Sequence, residues 1–118
     1  MGLRDLTKRL QAPPEQLESQ RLRDRCAGLD VIAIEKLEYR VSTRVAGEIK
    51  RIMVAPRKGI PALEVVLSDG TGDAVAVFTG RRHIAGLEHG RAVIIEGVAH
   101  DERGRRVMLN PAYTLIAS

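Results

Sequence analysis

Between residues 39 and 55 apolar and polar positions alternate, with Val41, Thr43, Val45, Gly47 and Ile49 sharing one phase. A period of two is that of a strand with one buried face. The apolar phase then slips to Ile52 and Val54, which predicts a bulge near Lys50 or Arg51, because one extra residue turns every later side chain over. The stretch PRKGIP at 56–61 is a loop, and residues 62–69 predict a second strand with Leu63, Val65 and Leu67 inward. Asp69-Gly70-Thr71-Gly72 predicts a tight hairpin turn into a third strand at 73–79. The segment GRRHIAGLEH at 80–89 is too polar and glycine-broken for a strand and predicts a short helix or lid. A fourth strand follows at 91–100, a polar loop at 101–105 and a fifth strand at 106–110, which Pro111 limits, leaving AYTLI as an extended tail.

Before residue 39 the pattern is helical. Residues 14–27 are strong helix formers, with Pro14 suited to the first turn, Glu15 and Glu18 to its positive end, and Gly28 to its stop. Leu17, Leu22 and Cys26 give only a thin apolar edge. Leu3, Leu6 and Leu10 allow a short helix over 1–12, interrupted at Pro13 and Pro14. The expected organisation is a helical extension over 1–38 and a β domain over 39–118.

Three strands, a short helix and two strands, with a glycine inside a long first strand, is the order of an OB-fold. The expected architecture is all-β: a five-stranded Greek-key OB-fold barrel with a short helix between strands three and four. A small open antiparallel roll of similar strand count is the competing fold. Val45-Ala46-Gly47 with Ile49, Leu67-Ser68-Asp69-Gly70-Thr71-Gly72, Gly90, Gly97 and Asn110-Pro111-Ala112-Tyr113 carry a resemblance. Residues 40–116 resemble the nucleic-acid-binding OB family that includes the anticodon-binding domains of class II tRNA synthetases. They are still more similar to small stand-alone actinobacterial OB-fold domain proteins. The resemblance implies a fold, with nucleic-acid binding as a family tendency.

Charge adds to this picture. The chain has 19 Lys and Arg against 15 Asp and Glu, a formal charge of +4, and most of the excess lies beyond Lys36. A basic balance suits a polyanion partner. OB domains bind across strands two and three, between the loops joining strands one to two and four to five. Here Lys50, Arg51, Arg57 and Lys58 belong to the first rim, and Arg103, Arg105 and Arg106 to the second. Together they predict a basic funnel for single-stranded DNA or RNA, with Tyr113 as a stacking candidate. The plainer reading is that loops are charged anyway, with Asp101 and Glu102 offsetting the second cluster. Aromatic residues are only 3% of the chain. Glu64 stands where the synthetase-like domains carry an aromatic stacker, so weak, sequence-tolerant backbone binding is expected.

Val66, Val75 and Val77 fall on the outward phase of strands two and three. An open valine face would serve a protein partner or self-association, which is the alternative reading: an interaction or oligomerisation module. Residues 14–29 are a further candidate cover for that face.

Nothing in the sequence calls for catalysis, a metal or another cofactor. His83, His89 and His100 make no ligand spacing with the single Cys26, there is no HExxH, and Gly70-Thr71-Gly72 lies in a hairpin rather than a phosphate loop. One cysteine permits no intrachain disulfide, and no run reaches a membrane-spanning length or forms a secretory signal. The expected location is the cytoplasm.

Overall fold

A computed structural model of the chain describes residues 13–117. The helix expected of residues 1–12 lies outside the described residues. Helix α1 spans Pro14–Cys26, with proline in its first turn, Glu15 near its positive end, and Arg23 and Arg25 in its last turn. Leu22 is its buried residue, as its thin apolar edge dictates. A single 3-10 turn at Ile34–Lys36 follows, and it buries Ile34. Among the described residues six strands follow: β1 Ser42–Val54, β2 Ala62–Ser68, β3 Asp73–Thr79, β4 Ala92–Glu102, β5 Arg105–Leu109 and β6 Ala112–Leu115.

The long β1 serves two neighbours. Ser42–Glu48 pairs antiparallel with β4, and Glu48–Val54 pairs antiparallel with β2. The register shifts between Ile49 and Arg51, so the bulge falls at Lys50, where the slip of apolar phase places it. β2 and β3 form an antiparallel hairpin, β3 and β5 pair parallel, and β4 pairs with both β5 and β6. Hydrogen-bonded neighbours therefore trace a ring from β1 through β2, β3, β5 and β4 back to β1, with β6 added on β4.

Two parts of the expected architecture are overturned. The sheet is mixed and six-stranded, and its ring of hydrogen bonds does not amount to the five-stranded all-β Greek-key barrel. Residues Val107–Leu109 pair with Val75–Val77, and there the parallel contact ends. Asn110 adopts a left-handed φ of 48° and Pro111 has no N–H to donate, so the strand breaks and resumes as β6 against β4. The Asn110 N–H donates to Val77 O at 2.6 Å, and its Oδ1 accepts from the Thr79 N–H at 2.9 Å, which holds the break in place. The second correction is the absence of a helix between β3 and β4. Gly80, Gly86 and Gly90 have φ of 75°, 88° and 86°, values that no right-handed helix accommodates. The segment is a loop that plugs the core with Ile84 and Leu87.

The main core collects Val45, Ile49, Leu63, Val65, Leu67, Phe78, Val93, Ile95 and Met108, joined by Ile34 and Leu37 from before β1. A separate apolar cluster of Ala62, Val75, Val77 and Val107, with Val66 at its edge, lies on the opposite side of β2, β3 and β5.

Candidate nucleic-acid interface

The outward phase of β2, β3 and β5 is set by pairing. Glu64 faces Val77, Val66 faces Val75, and Val75 faces Val107 across the ladder. Val75 and Val77 are 3% and 0% exposed, so the open valine patch does not exist. Helix α1 is not its cover: α1 contacts β1, and the Gly70 turn approaches Ser19. The cover is polar. Arg105 on β5 donates from Nη1 to Glu64 Oε1 on β2 at 3.2 Å, and β3 lies between those strands, so the bond passes over the valines. Arg57 donates from Nη1 and Nη2 to the two oxygens of Glu102 at 3.1 and 2.6 Å, joining the β1–β2 loop to the end of β4. His100 Nε2 bonds the same Glu102 carboxylate. These contacts lower the Glu102 carboxyl to about 2, chiefly through the Arg57 hydrogen bonds and then His100, with burial opposing.

Beside this covered part lies an open pocket of about 370 Å³. Val66 and Val75 contribute apolar lining, Arg51, Arg105 and Arg106 line it with cationic groups, Gly104 adds backbone, and Asp73 is its carboxylate. An apolar surface among guanidinium groups suits a nucleobase beside a phosphate. A larger cavity of about 560 Å³ has Asp30, Glu38 and Glu96 against Lys36 and Arg44. Its charge balance has the wrong sign for a polyanion.

The structure divides the residues singled out by sequence. Arg51, Arg105 and Arg106 meet at the pocket. Arg106 also donates to Asp73 O at 3.3 Å. Arg57 is held by Glu102, while Lys58 and Arg103 are exposed at turns with φ of 50° and 54°. Lys50, the bulged residue, turns toward α1, with Nζ at 2.8 Å from Glu18 and 3.3 Å from Glu48. Tyr113 sits on β6 with its ring edge-on to Phe78, centroids 5.7 Å apart, and lines no part of the pocket. His83 and His89 are exposed loop residues, and among the described residues no group of three or more His, Cys, Asp or Glu is placed to hold a metal.

Sequence reasoning named Glu64 and Glu102 but missed that each engages an arginine. A glutamate at position 64 within an otherwise apolar run is a signal, since a buried charge needs a partner. No local pattern identifies that partner as Arg105. It also missed the cluster around Glu48, which Arg21, Arg25 and Lys50 all contact. The Arg21 hydrogen bond leads the causes that lower the Glu48 carboxyl to about 2.

No family model matches the chain, and no curated protein matches it. Among solved structures, a chain of a Replication Protein A heterotrimer bound to single-stranded DNA superposes with a TM-score of 0.50 at 13% identity. The match covers 65% of this chain and 58% of that one, so it spans less than two thirds of the relative's length. No helix among the described residues is long and apolar enough to cross a membrane. At such low identity the likeness is one of fold, and it describes the chain as OB-fold-like.

Proposed function

We propose that this chain is a non-catalytic protein that binds single-stranded DNA or RNA, weakly and with little sequence preference, in the cytoplasm. The carrying observation is the open pocket on the β2–β3–β5 face, where Arg51, Arg105 and Arg106 surround Val66 and Val75. Guanidinium groups clamp phosphate with two donors, and the half-buried Val66 gives any base an apolar contact. The small aromatic content and the placement of Tyr113 outside the pocket argue against a base-stacking platform. The OB-fold likeness and the resemblance to stand-alone actinobacterial OB domains support the same reading. A protein-interaction role through Val66, Val75 and Val77 loses its basis, because two of the three are covered.

Fluorescence anisotropy of labelled single-stranded DNA and RNA of matched sequence, across a salt series and beside a duplex, tests the proposal. Three phosphate contacts give a slope of log affinity against log salt of roughly −2. The double variant Arg51→Glu/Arg106→Glu, folded by circular dichroism, is expected to lose binding. Retained affinity in that variant at low salt removes the pocket from the proposal.

A further inference from the structure

Two arginines suited to phosphate, Arg57 and Arg105, are already engaged in this structure by the chain's own carboxylates. Arg57 and Glu102 meet fork to fork, the geometry that a guanidinium also offers a phosphate. The Arg57 and Glu102 side chains are only 25% and 27% exposed. Among the described residues Arg57 Nε is buried without an acceptor, while Nη1 and Nη2 each donate to Glu102. The pair also ties the β1–β2 loop to the end of β4, and the Arg105–Glu64 pair crosses the face over β3. We infer that Glu64 and Glu102 are specificity-determining residues that occupy the phosphate positions of Arg105 and Arg57 and yield them only to a ligand carrying several linked phosphates. This rests on the proposed nucleic-acid reading.

The chemistry follows from competition. A free monoanion that displaces one carboxylate leaves the second pair intact and exposes one freed glutamate to the incoming charge. A strand carries adjacent phosphates on one backbone, so the second displacement is intramolecular and occurs at high effective concentration. Two internal carboxylates therefore depress affinity for single phosphates more than affinity for a strand. Removing one competitor is worth up to about fivefold in affinity, and removing both up to about twenty-fivefold, from the usual strength of partly exposed ion pairs.

The test compares the full chain with Glu102→Gln, Glu64→Gln and the double variant, using labelled oligothymidine in anisotropy and inorganic phosphate as the single-phosphate competitor. Glu96→Gln, an exposed carboxylate lining a different cavity, is the control for net charge. Expected are tighter oligothymidine binding for each glutamine variant, the greatest gain in the double variant, and little change in Glu96→Gln. Phosphate should compete more effectively against the double variant than against wild type. Equal gains in Glu96→Gln and Glu102→Gln, or unchanged or weakened binding in both Glu64→Gln and Glu102→Gln, overturn the inference. Should wild type and every variant fail to bind oligothymidine, the nucleic-acid reading itself falls. The competition is then read directly from the Arg57 and Arg105 side-chain N–H resonances during pyrophosphate titration. They should shift at lower pyrophosphate in the double variant, and identical titrations overturn the competition.

Discussion

Gly47 shows how one side chain decides a strand crossing. It pairs with Val93, beside the point where β1 passes from β4 to β2. A Cβ there would lie 2.9 Å from Ser68 O and 3.0 Å from Leu67 Cδ1. Gly47→Val is therefore expected to cost about 1–3 kcal/mol through overpacking, read as a lower melting temperature. An unchanged melting temperature would show that β2 yields to the larger residue. Asp69 has a different duty. Its Oδ1 accepts from Thr71 N, Thr71 Oγ1 and Gly72 N, and its Oδ2 accepts from Ile34 N at 2.9 Å. Asp69→Ala orphans the Ile34 N–H beside the core and is expected to cost about 2 kcal/mol by denaturant titration. The turn is legible in Asp-Gly-Thr-Gly, because Asp and Gly at those places satisfy local backbone. The bond to Ile34 is not legible, because 35 residues separate the partners.

Among elements, the strands of alternating pattern are legible and the breaks between them are less so. The slip from Ile49 to Ile52 locates the bulge, since register follows directly from side-chain phase. β6 is concealed because Pro111 reads as a stop, whereas Asn110 accepts a left-handed conformation and lets the chain rejoin β4. The missing helix has a similar cause: left-handed Gly80 and Gly86 within residues 80–89, and Gly90 after them, break the helix. Helix α1 is held to β1 by charge: Arg21 and Arg25 reach Glu48, and Glu18 reaches Lys50. Glu48 and Glu102 are both lowered from 4.5 to about 2. A depressed carboxyl contributes stability above its unfolded value, and that contribution disappears as pH falls through the folded one. The melting temperature is therefore expected to decline from about pH 4.5 toward pH 2, with a shallower decline in Glu48→Gln. Equal slopes in the two proteins would remove Glu48 from the acid response.

At the scale of the whole molecule, α1 and the segment behind it contribute unequally. Leu22 is the buried residue of α1, but Ile34 and Leu37 belong to the main core. Deleting residues 1–28 is expected to leave cooperative unfolding, whereas deleting 1–38 strips two core residues and broadens or abolishes the transition, as calorimetry would show. Two equally cooperative transitions would place the core wholly beyond residue 38. The candidate site is legible in part for the same reason that the core is. Position along β1 and β5 brings Arg51, Arg105 and Arg106 together, but only the folded face reveals that Glu64 and Glu102 have claimed two arginines.

The parallel joint between β3 and β5 also imposes an order on synthesis. Val75 and Val107, its first pair, are far apart in the chain, and the antiparallel β2–β3 hairpin is complete well before Val107 exists. A chain emerging from the ribosome can therefore pair β1, β2 and β3 early, but must hold the edge of β3 unpaired until Leu109 has been made. Arg51 and Val66 wait with it, because Gly104, Arg105 and Arg106 arrive only with that last joint. Growing chains thus carry the fold's first half long before they carry the complete pocket.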